Sequence, residues 1–250
     1  MIPGENEWTI IFSKTATAWG SFSYNQAEDA LRVTIKPQPS DSHEALTYDF
    51  DDLKPDSALL TLRWEKVAVP FRVGVNVNEI VQQSIPLQLR GFAQYTWDAW
   101  DDAATYLLEN KLDLQQALKY SDRSVQVEER FDNLLTQSRV LDALGRSEEA
   151  AKTRDKAIAQ ATAIQLHVYG RQLQNQGHQA EAFAIFRVNA QRNPSHWLVH
   201  SELARMSSAK GDFTSAAKEM QLAADGAPDN AKPAMQGLVK RLQANEDINK

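Results

Sequence analysis

The chain has 250 residues, 42% hydrophobic and 24% charged, which is enough apolar matter for one or two buried cores and too much for a disordered chain. A net charge of −6 speaks against a nucleic-acid partner held mainly through its phosphates. With no cysteine, disulfide scaffolds, thiolate nucleophiles, iron–sulfur clusters and cysteine-ligated zinc are excluded.

Up to about residue 76 apolar side chains alternate with polar ones. Trp8, Ile10 and Phe12 share one side of a strand, and Leu31, Val33 and Ile35 share one side of the next. Leu60, Leu62 and Trp64 continue the pattern, followed by Val67, Val69, Phe71, Val73 and Val75. This is the two-residue period of half-buried strands. Turn-forming residues separate them at 16–20, 24–29, 37–42 and 51–56, where Asp49, Asp51 and Asp52 precede Pro55. Strands this short and this regularly spaced predict antiparallel pairing, as a sandwich or curved sheet, with Trp8 and Trp64 in its core. Trp19 lies in a turn and is the candidate ligand contact of this half.

Three stretches carry a resemblance: Phe12 to Tyr24 followed by Glu28 to Val33, Leu46 to Phe50, and Trp64 to Phe71. Over about residues 2–90 they resemble a bacterial family known as domain of unknown function 2911. The resemblance implies a β-domain of an exported protein, sometimes followed by helical repeats, and it implies no activity. In that family Ile2-Pro3-Gly4-Glu5 looks like the middle of the domain, so the expectation is a β-domain lacking its N-terminal strands. The first residues also lack the basic and apolar stretches of a signal peptide.

From Asn78 onward the period changes to three and four. Residues 77–91 predict a linker helix, and 92–250 a run of helical repeats with a closing helix. No run of 18 apolar residues occurs, so no membrane span is expected. Gly170, Gly177, Ala182, Phe186 and Pro194 recur 34 residues later as Ala204, Gly211, Ala216, Met220 and Pro228. This spacing resembles the tetratricopeptide repeat. The unit from Phe131 to Thr162 keeps Leu141, Gly145, Ala150 and Ala157, two residues shorter, and a degenerate unit from Asp98 to Arg130 keeps Leu108 and Ala117. The small residues belong where two helices cross, and the glycines belong in the turns between helices. The fold class is therefore α+β: an antiparallel β-domain of residues 1–76, then an all-α solenoid.

Motifs of catalysis are absent: there is no Gly-x-Ser-x-Gly elbow and no phosphate-binding glycine loop. His196 and His200 are one turn apart but lack the glutamate of a zinc protease motif. His43, His167 and His178 stand alone as titratable groups. Asp98, Asp101 and Asp102 read as acids in the first turn of a helix, and Asp113 with Gln116 as a capping box. No cofactor or metal is expected.

The informative pattern lies in the repeats. Counting units from Phe131, Ala163 and Trp197, the ninth residue is Arg139, Arg171 and Arg205. Ninth positions line the concave groove of such an array, as do fifth and twelfth positions, here His167 and Gln174. A ladder of guanidiniums suits carboxylates. The expected function is a non-catalytic module binding a protein or peptide in that groove, with an acidic one favoured by the arginines. The alternative is an extracytoplasmic enzyme or carbohydrate-binding protein with its site on the β-domain around Trp19.

Overall fold

A computed structural model describes residues 1–249, which form two compact units, Met1–Pro86 and a second beginning at Leu87.

The first unit is built from two antiparallel ribbons. Strand β1, Trp8–Ser13, pairs with β2, Asp29–Ile35, in a register running from Trp8 opposite Ile35 to Phe12 opposite Leu31. Strand β3, Gln38–Lys54, pairs with β4, Ser57–Gly74. Their alternating faces meet in a core of Ile10, Leu62, Val69 and Phe71, flanked by Trp8, Val33, Ile35, Leu60, Val67 and Val73. Two expected turns are strand instead. Residues 38–42 and 51–54 belong to β3, and only Pro55 and Asp56 turn the chain. The aspartates that looked like a solvated turn face arginines across the ribbon. Arg63 donates to both Asp49 and Asp51 at 2.7 Å, and Arg72 reaches Asp52. These guanidiniums hold the carboxyls of Asp51 and Asp52 below the usual range.

Trp64 is the other departure, being 50% exposed and not in the core. Strand β4 bends at Glu65, whose φ of 49° is left-handed, and the register with β3 shifts there. A shifted register breaks the alternation between Leu62 and Val67. Helix α1, Val77–Gln88, carries Pro86 in its last turn.

The second unit is a stack of helical hairpins. Helices α2 (Trp97–Glu109), α4 (Phe131–Ala143), α6 (Ala163–Asn175), α8 (Trp197–Ser208) and α10 (Lys232–Gln243) are the inner helices, and α3 (Leu114–Val127), α5 (Ser147–Gln160), α7 (Gln179–Arg192) and α9 (Phe213–Gly226) the outer ones. Each inner helix ends at a residue of positive φ: Lys111, Gly145, Gly177, Gly211 and Asn245. Around each, two backbone bonds close the same motif. The Gly145 N–H reaches Asp142 O at 2.9 Å and the Arg146 N–H reaches Leu141 O at 2.9 Å, and Lys111–Leu112 and Asn245–Glu246 repeat this. The degenerate first unit is thus geometrically complete. Its turn is one residue longer, since Asp113 caps α3 two residues after Lys111 whereas Arg146 precedes α5 directly after Gly145. A phase taken from Ala117 therefore places α2 one residue late, at Asp98 instead of Trp97.

Where inner and outer helices cross, the side chains are small. Ala104, Ala117, Ala150, Ala182, Ala204 and Ala216 are all 0% exposed. In α4 the crossing residue is Ser138, whose hydroxyl donates to Ala150 O at 2.9 Å. In α6 it is Gly170, where an added Cβ would come within 2.3 Å of Phe186 Cε1. Phe131, Leu134, Leu166, Leu173 and Ile185 join neighbouring hairpins into one core.

Two helical glycines should consequently respond in opposite directions. Gly170→Ala gains about 1 kcal/mol of helix propensity but overpacks the crossing, with a net loss of roughly 1–2 kcal/mol. Gly237→Ala meets nothing within 4 Å and should gain roughly 0.5–1 kcal/mol. Thermal melts of the two variants decide this, and shifts of the same sign would contradict the register. Lys111→Gly should also raise the melting temperature, by relieving about 1 kcal/mol of left-handed strain.

Candidate functional site

Arg139, Arg171 and Arg205 are each the ninth residue of an inner helix, so the structure keeps them in register. Their surroundings differ. Arg139 is exposed and meets Glu109 at 3.4 Å, while Asp142 is met by Arg154 at 3.4 Å. Arg171 is half-buried, donates to Gln174 Oε1, and has its guanidinium pKa lowered by burial. Arg205 is 8% exposed and donates through Nη1 to Ile248 O at 2.9 Å. Burial first, then the charge of Arg171, brings it down to about 10.

The expected open ladder of three rungs is therefore corrected to two accessible arginines and one enclosed. The enclosing residues are Asp247, Ile248 and Asn249, which follow α10 and pack back onto α8. Among the described residues no carboxylate lies within ion-pair distance of Arg171 or Arg205. The Asp247 charge offsets part of the burial of Arg205, whereas burial alone acts on Arg171, and a partly desolvated cation without a counter-ion attracts one.

His167 and Gln174, expected to face a ligand, are both engaged within the chain. His167 Nδ1 lies 3.0 Å from Oε1 of the fully buried Glu202, its ring stacked on Phe186. Asn189 donates to the same oxygen at 2.8 Å and to Ala163 O at 3.0 Å, so one carboxylate ties α6, α7 and α8 together. Gln174 Nε2 donates to Asn249 Oδ1 at 3.0 Å. Beside them His167, Val168, Arg171, Gln172, Asn175 and Gln176 line an open depression.

A second cavity, of about 230 Å³, lies between α2, α4, α5 and α6, with Asp101, Asp132, Thr136, Arg139, Arg154 and Tyr169 among its walls. Asp101 was expected to serve its helix terminus, and it does something else. Its Oδ1 is buried without a hydrogen-bond partner among the described residues. Burial pushes its carboxyl up to about 6, opposed by the Thr136 hydroxyl and reinforced by Asp102 and Asp132. Counted from Trp97, Asp101 is a fifth-position residue like His167, a signal that a phase one residue late concealed.

The remaining candidates have neighbours of their own. Trp19, 89% exposed, leans against the equally exposed Phe22. His196 Nδ1 accepts the Leu198 N–H that begins α8, and His200 sits 2.8 Å from Glu219, so the two imidazoles serve separate partners. Asp98 Oδ1 accepts the Ala99 N–H at 2.9 Å, and Asp113 Oδ1 accepts the Gln116 N–H at 2.9 Å. Among the described residues no three acidic or imidazole side chains gather as a metal site would require.

Residues 1–73 match the model of a family described as a protein of unknown function, DUF2911. No curated protein matches the chain. Among solved structures, the crystal structure of the APC/C hetero-tetramer Cut9–Hcn1 is similar at 16% identity and a TM-score of 0.38, over 67% of this chain and 34% of that one. The chain thus spans about a third of that relative's length. The crystal structure of YrrB, a TPR protein with an unusual peptide-binding site, is similar at 17% identity and a TM-score of 0.35, over 65% and 84% of the two chains.

Asp101 makes a prediction about pH. Its folded pKa lies above the unfolded value, so the fold loses stability as pH rises from about 4 to about 6, and the loss persists above. Asp101→Asn should remove that loss, raising stability at pH 8 by roughly 1–2 kcal/mol after allowance for partial exposure. At pH 3.5 and below, about where both forms are neutral, the two proteins should melt together. A gain that is independent of pH would contradict the assignment.

Proposed function

We propose that the helical repeats are a non-catalytic binding module for a protein or peptide, and that the bound segment is acidic and lies along the inner helices past Arg139 and Arg171. The observation that supports this most directly is electrostatic. Arg171 stands half-buried, its charge acts against that of buried Arg205, and no carboxylate among the described residues lies within ion-pair distance of either. An aspartate or glutamate side chain would satisfy both the charge and the fork geometry of Arg171. Arg139 contributes at the rim, since Glu109 already shares its guanidinium. The open depression between His167 and Gln176 leaves room for such a segment next to Arg171.

The chain's overall charge of −6 opposes an acidic ligand at long range. Local arginines must outweigh it, which makes binding salt-sensitive. The test is fluorescence anisotropy with a labelled Asp/Glu-rich peptide. Arg171→Ala should weaken binding about 10- to 100-fold, equivalent to roughly 1–3 kcal/mol, and Arg171→Lys should restore part of it. Affinity should fall between about 50 and 300 mM salt, as the Debye length shortens. Affinity indifferent to Arg171 and to salt would overturn the proposal.

A further inference from the structure

The residues that enclose Arg205 are held in an unusual way. After α10, Asn245 turns the chain with a φ of 59°, and Asp247, Ile248 and Asn249 run along α8 without entering a helix or strand. Ser208 Oγ donates to Asp247 Oδ1 at 2.8 Å and accepts the Ile248 N–H at 3.1 Å. Arg205 Nη1 donates to Ile248 O at 2.9 Å. Side chains of α8 thus hold both main-chain groups of Ile248. Its own side chain is 4% exposed and joins the apolar cluster of Ala204, Met220, Val239 and Leu242. Next along, Asn249 Nδ2 donates to Arg205 O at 3.0 Å, while Gln174 Nε2 from α6 donates to Asn249 Oδ1.

Main-chain groups captured by side chains, an apolar socket for one residue and an amide read by two partners are the parts from which peptide-recognition sites are made. Arg205 and Ser208 are the ninth and twelfth residues of α8, and Gln174 the twelfth of α6, so these parts occupy the groove positions of the inner helices. The fit is incomplete. Arg205 Nε is buried with no hydrogen-bond partner among the described residues, and the Asp247 charge acts on the guanidinium without coming within ion-pair distance. Arg171, which donates to Gln174, lines the open depression, and this gives a competing segment a place to start.

We propose that the Arg205–Ser208 end of the groove is a peptide-binding subsite held shut in cis by Asp247–Asn249. Its ligand in trans is a segment of a partner protein in which an acidic residue precedes a branched aliphatic residue and an amide residue. This rests on the reading of the inner helices as a peptide-binding surface and adds what the subsite selects and what regulates it. The acidic residue that Arg171 attracts and the apolar anchor in the Ile248 socket would belong to one bound segment, whose arrival releases the cis segment.

The test uses a fluorescein-labelled peptide of residues 244–249, Ala-Asn-Glu-Asp-Ile-Asn, with the full chain carrying Ile248→Glu and Asn249→Ala. The released chain should bind this probe at least about tenfold more tightly than the wild type, because the cis segment no longer competes. It should ignore a probe in which the isoleucine is replaced by aspartate. A released chain that melts cooperatively and binds the probe no better than a scrambled peptide overturns the proposal, as does a wild type that binds it equally well. If the double variant does not fold, Asn249→Ala alone decides, since it removes the amide contacts and keeps the apolar anchor; unchanged affinity for the probe then overturns it. Acidic-peptide binding by the wild type that depends on Arg171, with no response to release of residues 247–249, would defeat this inference and leave the proposed function standing. Loss of both would defeat the two together.

Discussion

The second unit depends on one backbone conformation, the left-handed residue that ends each inner helix. An αL residue at that position lets the chain reverse within a few atoms and satisfies the last carbonyls of the helix through the 6→1 and 5→2 bonds. Because the reversal is fixed, the distance along each helix to the crossing point is fixed too. The eighth residue of the inner helix must then meet the outer helix, so Ala104, Ser138, Gly170 and Ala204 are small. The ninth residue points about 100° further round, away from that crossing. Arg139, Arg171 and Arg205 are aligned by this rule, not by any attraction among themselves.

The inner helices bury more polar chemistry than a packing surface needs. Glu202 is completely enclosed, with His167 and Asn189 at Oε1 and nothing at Oε2, Arg205 is enclosed with one unsatisfied donor, and the partly buried Asp101 has one unsatisfied acceptor. Each enclosed group costs solvation that only a well-made partner offsets. Glu202 ties helices together through Oε1, which faces His167 and Asn189, while its Oε2 is buried with no hydrogen-bond partner among the described residues. Arg205, on α8 with Glu202, and Asp101 on α2 are likewise only partly satisfied. A buried polar atom left unsatisfied calls for a physical explanation, and all three lie on inner helices.

The first unit followed its sequence where the alternation was uninterrupted. Ile10, Leu62, Val69 and Phe71 are core because a two-residue period leaves them no other side. It departed where residues distant in sequence came together. The aspartates at 49, 51 and 52 look like turn residues until Arg63 and Arg72 stand opposite them. Trp64 looks like core until the left-handed Glu65 moves the register beneath it.

The sequence alone determined the two architectures, the helical hairpins, the small residues at their crossings and the alignment of the three arginines. Those features follow from periods and from single-residue conformational limits, which are local and can be read along a line. Lys111 shows the margin of that reading, since a lysine in a glycine's place and one extra turn residue moved the first unit's phase by one and concealed Asp101. Which arginines remain accessible was decided only by the tertiary structure. Arg205 is enclosed by Ile248, 43 residues away along the chain, and Gln174 is held by Asn249, 75 residues away. Desolvation and hydrogen-bond partnership across such distances depend on where the chain returns in space, and no pattern within a repeat encodes that return.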